Sequence, residues 1–488
     1  MKGNKKKVSK VLLSSTLLLT MFFTTMPTSV FAAENAASSK TGDVDVEISK
    51  TNFPDDVFRG YVKAFDTDKD GSLSPIGEID KVTEIAIYDD KGIKDLTGIG
   101  HFTKLTHLAC TNNQLTSLDV SGNVDLKELS CNDNQLTSLG VSNNTKLTHL
   151  SCENNQLTSL NIINNTLLEQ LSCFNNPIKN LDVSKNTVLK RLYCSENKLT
   201  SLDVSENKDL TDLSCETNSL SSLDVSKNVK LEALKCFENQ LTSLVVNENK
   251  DLINLSCKNN PLTSLDVRAN TKLTDLNCGN TSLTSLDVRA NTKLTDLRCY
   301  ITKLTSLDVS NNKALMNLDC SESQLTSLDV SQNPNLGYFV CYKQNSTILY
   351  DKNKGYQLSA YDTGFVKGNA KNFNGATYND GTLTGVTFGK DITYDYDTGC
   401  KKTALNIPMT VTLKFVEATD ASKLDEAKTL ADNAIKTISA TNETTNKIIL
   451  DAVTKSISSV KGVSAAWKAG SPTITLATKD TAGSIKGT

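Results

Sequence analysis

Hydrophobic positions recur along most of the chain at one fixed interval. From Leu105 onward, twelve successive 21-residue units follow the pattern L-x-x-L-x-C-x-x-N-x-L-T-S-L-D-V-S-x-N-x-x, the last opening at Leu336. A constant period of this length is typical of a solenoid, because one unit cannot bury its apolar side alone and stacked units share a core. Each unit is called a coil here, and coil 1 begins at Leu105.

Within a coil the pattern predicts a short strand and a return stretch. Residues 129–131 read Leu-Ser-Cys, and alternate residues of a strand point to opposite faces, so the leucine and the cysteine face inward. Leu115, Leu118 and Val120 of the return stretch close the core from the far side, and their equivalents recur in later coils. Stacked coils therefore predict a parallel sheet.

Two asparagine columns are predicted to hold the turns, because an amide can both donate to and accept from buried backbone groups. The second column runs unbroken from Asn123 to Asn333. The first column changes to Thr281, Thr302 and Ser323, so we expect looser first turns in those coils than in coils 3 to 8. Before that change its members are Asn113, Asn134, Asn155, Asn176, Asn197, Asn218, Asn239 and Asn260.

The chain has thirteen cysteines, of which all but Cys400 recur every 21 residues from Cys110 to Cys341. In an exported protein such a number ordinarily suggests disulfides. Equivalent atoms of neighbouring coils lie ~4.8 Å apart with parallel Cα–Cβ vectors, which does not offer disulfide geometry. Structural zinc needs four converging ligands and not a line of thiols. We predict reduced thiols that fill the core as small apolar groups.

An amphipathic segment precedes the repeats. Residues 54–65 are predicted to form a short helix that covers the open end of the first coil. Its apolar stripe consists of Val57, Phe58, Tyr61, Val62 and Phe65.

An Asp-rich loop follows that helix. Residues 66–71 read Asp-Thr-Asp-Lys-Asp-Gly, the first half of an EF-hand loop, but position twelve is Gly77 and the glutamate comes one residue later. Two interpretations stay open: a calcium site or an Asp-rich turn. The calcium site would use Asp66, Asp68, Asp70 and Glu78, and no other cofactor is expected.

The first 32 residues are predicted to be a secretory signal peptide. Lysines precede an apolar run that ends near Pro27 and a small-residue site with Ala32 before the cut. That run is interrupted by hydroxyl residues and is shorter than the ~20 residues of a membrane span. No second such run follows, so we expect a secreted or cell-surface protein without membrane insertion after signal removal.

Beyond Cys341 the period stops. Alternating residues, including 409–415, and turn signals at 379–381 and 397–399 predict a β-rich cap over residues 342–416. Helical stripes at 424–438 and 448–457, then strands near 465–467 and 473–476, predict an α+β accessory module over 417–488. We expect this module to be incomplete, stopping short of a final strand.

Composition excludes several functions. The formal net charge of −3 includes five lysines among the first ten residues, so the remainder is more acidic and no nucleic-acid partner is expected. Hydrophobic residues make up 38% of the chain, which excludes wholesale disorder. Aromatic residues make up 6%. With three histidines, chemistry built on histidine clusters is not indicated, and His107 and His149 lie two coils apart.

The repeat resembles the cysteine-ladder (internalin J type) branch of the internalin family, surface proteins of Gram-positive bacteria. The resemblance rests on the motif L-x-x-L-x-C-x-x-N-x-L-T-S-L-D-V-S-x-N and covers about residues 50–416. It implies a rigid extracellular scaffold for adhesion or host-protein recognition, without catalytic activity. The ligand does not follow from the resemblance, and no cell-wall sorting motif is present at this C-terminus.

The predicted fold class is therefore an α/β solenoid. It is a leucine-rich repeat with a parallel β-sheet on one face, an N-terminal helical cap, a C-terminal β cap and a small α+β module. The predicted segments are 1–32 (signal peptide), 33–47 (linker), 48–84 (helical cap with the calcium-like loop), 85–341 (solenoid), 342–416 (β cap) and 417–488 (accessory module).

The variable outward positions of the sheet are the candidate binding site. Phe174, Phe237 and Tyr300 recur three coils apart, and with Tyr193 and Tyr338 they are predicted to be exposed aromatic anchors on a polar face. The polar candidates are Glu153, Glu216, Lys258 and Arg298. We expect an extracellular protein or glycan as partner. Two alternatives stay open: the aromatic residues are scattered surface residues without a role, or the solenoid is a spacer that holds other domains off the cell envelope.

Catalysis is disfavoured. Asp275 and Asp296 stack beside Arg298, and paired carboxylates can act as general acid and base. However, the stretch that carries them occurs twice, at Leu262 and Leu283, so a duplication explains the pair. An open sheet also lacks the water-excluding pocket that such chemistry needs.

Overall fold

The structure is a computed structural model that describes residues 44–88, 92–350, 356–357, 369–379, 382–384, 386, 390–398, 409–417, 464–467, 473–477 and 482–486. The predicted signal peptide, the two predicted C-terminal helices and Cys400 lie outside the described residues.

A small cap precedes the repeats. It consists of strand β1 (Val46–Glu47), helix α1 (Asp56–Val62), strand β2 (Ser72–Leu73), which pairs antiparallel with β1, and a 3-10 helix (Ile79–Lys81). Asp55 begins α1 because its Oδ1 accepts the backbone N–H groups of Val57 and Phe58 at 2.9 and 3.0 Å. The helix is shorter than the predicted 54–65.

The cap buries one side of α1 against the start of the solenoid. Phe58 and Val62 are buried, and the ring of Phe65 meets that of Phe102 edge-on at 5.5 Å. Val57 is 45% exposed, so its place in the predicted apolar stripe is wrong. A second 3-10 helix (Ile99–His101) follows Gly98, whose φ is 98°. A Cβ at Gly98 would lie 2.4 Å from the carbonyl oxygen of Asn52, so only glycine permits this close approach.

Thirteen parallel strands form one sheet in strict sequence order. Twelve belong to the coils and pair with a 21-residue offset, as Leu234 with Leu255; the thirteenth, Glu84–Ala86, precedes coil 1 and was not predicted. The strands are β3 (Glu84–Ala86), β4 (His107–Ala109), β5 (Glu128–Ser130), β6 (His149–Ser151), β7 (Gln170–Ser172), β8 (Arg191–Tyr193), β9 (Asp212–Ser214), β10 (Ala233–Lys235), β11 (Asn254–Ser256), β12 (Asp275–Asn277), β13 (Asp296–Arg298), β14 (Asn317–Asp319) and β15 (Tyr338–Val340).

The leucine and cysteine columns form one continuous interior, which confirms the predicted solenoid. In coil 7, Leu234, Cys236 and Leu241 are all fully buried. The twelve ladder cysteines are buried, and none of them forms a disulfide among the described residues. Burial raises the pKa of the Cys110 and Cys173 thiols to about 12, so these thiols stay protonated and act as apolar fillers.

Both asparagine columns bond neighbouring coils to each other. The amide nitrogen of the fully buried Asn228 donates to the carbonyl oxygens of Val204 and Asn207 at 2.9 and 2.8 Å, and equivalent bonds recur from Asn123 to Asn333. In the first column, Asn239 donates to Cys215 O at 3.0 Å and to Cys236 O at 3.1 Å.

The first asparagine column makes fewer hydrogen bonds where threonine replaces asparagine. Asn239 Oδ1 also accepts the backbone N–H of Leu220 at 2.9 Å, so one side chain satisfies groups of two coils. Thr281 and Thr302 donate to the cysteine carbonyl of their own coil at 2.8 and 2.9 Å. A hydroxyl carries one hydrogen, so it cannot reproduce the multiple donation of the amide.

Strands follow the solenoid as predicted. They are β16 (Gln344–Tyr350), β17 (Tyr356–Gln357), β18 (Ala370–Asn374), β19 (Thr377–Asn379), β20 (Thr382–Thr384), β21 (Asp391–Tyr396) and β22 (Met409–Glu417), in two sheets of order β16-β22-β21-β18 and β17-β20-β19. Tyr394 Oη donates to Thr326 O at 2.7 Å, and Val330 N donates to Thr398 O at 2.9 Å. These bonds join the β-rich segment to coil 11.

Three strands lie in the predicted accessory module: β23 (Ser464–Trp467), β24 (Thr473–Ala477) and β25 (Ala482–Lys486), joined antiparallel in that order. Residues 482–486 form a strand beyond the two that were predicted, and they pair along the whole of β24. In the part of the chain that the structure describes, no helix has the length and apolar character of a membrane span.

Candidate functional site on the sheet face

Most of the predicted binding residues lie in one line across the solenoid. The residue two positions after each strand points outward, and we call these positions the strand-exit column. In coils 3 to 10 its members are Glu153, Phe174, Ser195, Glu216, Phe237, Lys258, Gly279 and Tyr300. Since the strands pair in register, members of adjacent coils lie ~4.8 Å apart. Six of the nine candidates thus form a single stripe.

Phe237 lies between two charged residues of this column. The ammonium nitrogen of Lys258 lies 4.8 Å from the centroid of its ring, a cation–π contact. On the other side of Phe237 in the column, Glu216 Oε2 accepts the hydroxyl of Ser214 at 2.6 Å. The column therefore places a carboxylate, an aromatic ring and an ammonium group in sequence over coils 6 to 8.

Both glutamates of the column are partly removed from water. Burial raises the pKa of Glu153, and the hydroxyl of Ser172 only partly offsets this. Burial likewise raises the pKa of Glu216, against the opposing hydrogen bond from Ser214. The Oε2 atom of Glu153 is buried without a hydrogen-bond partner among the described residues. Each carboxylate would therefore gain from a cation that approached the face.

The aromatic candidates are less exposed than predicted. Phe174, Tyr193, Phe237 and Tyr300 are half-buried, whereas Tyr338 is 54% exposed. The reason is that side chains of adjacent coils cover one another. Atoms of the Tyr300 ring lie within 2.5 to 2.8 Å of the place where a Cβ at Gly279 would stand, so this ring fills the space of the missing side chain.

Three candidates lie apart from the stripe, and one of them, Tyr193, is the last residue of strand β8. Tyr338 is on the last strand, β15, four coils beyond Lys258. Arg298 is on β13, and its guanidinium donates to Asp296 Oδ2 at 2.8 Å. Because Asn317 also donates to that oxygen at 3.0 Å, Asp296 is a bonded, largely buried carboxylate. Burial raises its pKa against the opposing effect of Arg298.

The Asp-rich loop brings three of its four predicted ligands together. Ligand oxygens of Asp66, Asp68 and Glu78 lie within 4.8 Å of one another. The one-residue offset of Glu78 is therefore compensated by the path of the loop. Asp70 is not part of this group, and its Oδ1 accepts the N–H and hydroxyl of Ser72 at 2.8 and 2.7 Å.

Glu78 already has partners in this loop. Its Oε1 accepts the hydroxyl of Thr67 at 2.9 Å, and its Oε2 accepts the N–H and hydroxyl of Ser74 at 2.9 and 3.1 Å. Burial raises the pKa of Glu78, but these hydrogen bonds outweigh it and hold the pKa below its ordinary value. The carboxylate thus closes the loop by itself, as the Asp-rich-turn interpretation requires.

Sequence reasoning missed the small residues of the stripe. Ser195 is buried between Phe174 and Glu216 in the column, and Gly279 makes room for Tyr300. Lys235 lies near enough to Glu216 to lower its pKa. Writing the coils beneath one another would have revealed the small residues, because each interrupts a column of longer side chains.

The solenoid is similar to proteins of known structure. No protein-family profile matches the chain. The functional domain of InlJ from Listeria monocytogenes, whose structure includes a cysteine ladder, shares 29% identity and a TM-score of 0.54, covering 76% of this chain and 99% of that one. The internalin InlF from Listeria monocytogenes (strain 4b F2365) shares the fold at 20% identity and a TM-score of 0.51, over 60% of this chain and 97% of that one.

A sequence relative agrees with these structures. Internalin J of Listeria monocytogenes serotype 4b (strain F2365) is 32% identical over an alignment of 143 residues that covers 24% of this chain. The match spans only 15% of the length of that relative. The predicted resemblance is confirmed: the chain is an internalin-like leucine-rich-repeat protein with a cysteine ladder.

Proposed function

We propose that this chain is a non-catalytic, exported binding protein that recognises another protein through its sheet face, in adhesion or host interaction. The observation that carries the proposal is the strand-exit column. It places Phe174, Phe237 and Tyr300 among charged side chains along eight successive coils of one rigid sheet. Half-buried aromatic residues in a fixed arrangement are the usual anchors of protein interfaces.

The similarity to the InlJ functional domain supports the same function, since the likeness extends over 76% of this chain. Export to the cell surface or medium is part of the proposal and is supported by the predicted signal peptide. Asp275 and Asp296 are the carboxylate pair that suggested catalysis. Because Asp296 accepts a hydrogen bond from Arg298, a structural role is favoured for this pair.

The test is capture of purified partners on an array of extracellular host proteins and glycans. We expect selective capture of a protein that is lost when Phe174, Tyr193 and Phe237 are replaced together by alanine. Because these side chains are half-buried, the melting temperature should fall, so capture is measured at a temperature where circular dichroism shows the variant to be folded. The matched control replaces Val124, Val229 and Val245, which are exposed but lie outside the strands.

The results separate this function from its alternatives. Loss of capture in the aromatic triple variant but not in the valine control supports the sheet face as the binding surface. Equal capture by both variants would remove the face from consideration. A chain that captures no partner at all would favour the spacer, and capture of glycans alone would change the class of ligand.

A further inference from the structure

The last residue of each coil forms a column of its own, which we call the coil-end column. Lys104, just before coil 1, occupies the same place. Because the strands that follow these residues pair in register, adjacent members lie ~4.8 Å apart. Through coil 7 the members are, in chain order, Lys104, Asp125, Lys146, Leu167, Val188, Asp209, Lys230 and Asp251. Lysine and aspartate alternate except at the ends of coils 3 and 4.

Charged members of the coil-end column already pair within the chain. Lys146 Nζ lies 2.6 Å from Asp125 Oδ1, and Lys230 Nζ lies 2.6 Å from Asp209 Oδ1. Both lysine side chains nevertheless remain more than half exposed. Exposed ion pairs contribute little to the stability of a fold, so these charges stay available to a second surface.

Leu167 and Val188 interrupt the charges with an exposed apolar pair. Leu167 is 50% exposed and Val188 is 37% exposed. Two further valines, Val124 and Val229, directly precede members of the column and are 48% and 49% exposed. Val124 lies two coils before Leu167, and Val229 lies two coils after Val188. The four apolar side chains are therefore placed symmetrically about the boundary between coils 3 and 4.

The charges of the column are inverted about the same boundary. Lys146 and Asp209 lie at equal distances on its two sides and carry opposite charges. The same holds for the next two pairs outward, which are Asp125 with Lys230 and Lys104 with Asp251. Each half of the column is thus the charge complement of the other half read backwards.

A neighbouring column repeats this inversion. Two residues after Leu167 and Val188 come Glu169 and Lys190, whose charged groups lie 2.7 Å apart. Further out, Lys127 and Glu232 are again opposite in charge and equally distant from the boundary. The hydrogen bond from Lys230 lowers the pKa of Asp209, and the charge of Lys190 lowers it further, so the two columns share one surface. We call this surface the coil-end strip.

Such an inversion is what a two-fold interface requires. A two-fold axis through the boundary of coils 3 and 4, perpendicular to the stacking direction, reverses the coil order of a second copy. Leu167 then faces Val188 of the second copy, and every contact occurs twice. Lysine 146 faces an aspartate, Val124 faces a valine, and no two like charges of the strip face each other in this register.

We propose that two copies of this chain associate antiparallel through the coil-end strip, with Leu167 and Val188 at the centre. A second copy is the occupant because the strip is complementary to itself in charge and in apolar positions. The strip is about 34 Å long, seven intervals of ~4.8 Å. It is narrow beside a standard interface, so the dimer forms reversibly and depends on protein concentration.

The test is sedimentation velocity of the purified full chain over a roughly hundredfold range of concentration. The wild type should shift from monomer to dimer as the concentration rises. K146D and D209K should each weaken self-association about tenfold or more, because two attractive pairs become two repulsive ones. An equimolar mixture of the two variants should associate again, since the reversed aspartate of one faces the reversed lysine of the other.

K272D is the matched control. Lys272 Nζ lies 2.6 Å from Asp251 Oδ1, the same pairing that Lys146 makes with Asp125, but Lys272 lies beyond the mirrored members of the column. K272D should therefore associate as the wild type does. The changed side chains are exposed, so circular dichroism should show all three variants folded.

Three outcomes would overturn the inference. They are a wild type that stays monomeric at every concentration, a K272D variant that is weakened as much as K146D, and a mixture of K146D and D209K that does not associate. The third outcome cannot arise from unfolding when both variants give the spectrum of the wild type.

The dimer and the proposed function are tested separately. The strip does not include the strand-exit column, so the two surfaces can be occupied together. The valine control of the capture array changes Val124 and Val229 and should be monomeric while it still captures a partner. A wild type that is monomeric yet captures a partner contradicts this inference alone, whereas a dimer that captures nothing contradicts the proposed function alone.

Discussion

Gln344 Oε1 accepts the backbone N–H of Leu325 at 3.0 Å. This is the bond that an asparagine makes in earlier coils, as Asn239 does with Leu220 at 2.9 Å. The Nε2 of Gln344 also donates to Cys320 O and Cys341 O at 2.8 and 3.1 Å. The longer side chain thus restores, in coil 12, the bonding that the first column lost from coil 9 onward.

The first prediction concerns the interruption at Thr281. We expect T281N to restore the missing bonds, because the new amide would accept the N–H of Leu262 and donate to Cys257 O, as Asn260 does with Leu241 and Cys236. The gain should be about 1 kcal/mol. Hydrogen exchange measures it directly, as slower exchange of the Leu262 amide.

T281A is the matched variant, since it removes the hydroxyl that donates to Cys278 O. It should exchange faster than the wild type at the same turn. If the Leu262 amide exchanges equally in T281N and the wild type, the threonine does not loosen the coil.

The second prediction concerns backbone strain at Ile301. One residue per coil has φ between 51° and 56° at the same place, and in coil 10 that residue is Ile301, with φ of 51°. The left-handed region costs an ordinary residue ~1–2 kcal/mol, and a β-branched side chain suits it least. Because Ile301 is 45% exposed, I301N should lose little burial and raise stability by about 1 kcal/mol.

Thermal and chemical unfolding test this gain. The control is E322N at the equivalent position of coil 11, where φ is 53° but the side chain is unbranched at Cβ. It should change the midpoint by clearly less than I301N. A midpoint for I301N at or below that of the wild type would show that the isoleucine relieves its strain through contacts.

The 21-residue period was sufficient to predict the register and the inward cysteines, because both depend only on identical positions stacking. It did not predict the exposure of Phe174 or Tyr300, which depends on the size of residues 21 positions away, such as Ser195 and Gly279. It also did not reveal that Gln344 continues the first asparagine column. Glutamine carries the same side-chain amide as asparagine, but it does not match the repeat motif at that position.

The third prediction is that the Asp-rich loop binds calcium. The backbone N–H of Asp70 lowers the pKa of Asp68, but burial and the carboxylates of Asp70, Glu78 and Asp66 raise it above its ordinary value. A cation would relieve this repulsion. With the millimolar affinity of extracellular modules, 10 mM calcium should stabilise the cap by about 1–3 kcal/mol.

A rise of several degrees in the melting temperature would be the observable result. It should be absent in D66N and in D68N, and smaller with magnesium, which demands a tighter octahedral site. If calcium leaves the wild-type transition unmoved, the loop is an Asp-rich turn closed by Glu78, as its hydrogen bonds with Ser74 already permit.

The fourth prediction is a pH dependence that arises from Glu153 and Glu216. Burial raises the pKa of both above the ordinary value of 4.5. A carboxyl group whose folded pKa is raised binds its proton more tightly in the folded chain, so its stabilising contribution is complete below pH 4.5 and disappears as the pH rises through the folded pKa. Acidification from pH 7 toward 5 should therefore favour the folded state at these two positions.

The comparison of variants isolates this effect from other titrating groups. E153Q/E216Q carries no charge at either position, so its melting temperature should exceed that of the wild type at pH 7 by about 2 °C and converge with it near pH 4.5. E169Q is the opposite control, because the hydrogen bond from Lys190 lowers the pKa of Glu169. Its stability should fall below that of the wild type at pH 7, and that deficit should disappear in acid. A difference in melting temperature between E153Q/E216Q and the wild type that stays constant across this pH range would contradict the prediction. It would mean that both carboxylates are as well solvated in the folded chain as in the unfolded one. The sheet face would then have no electrostatic reason to attract a cation.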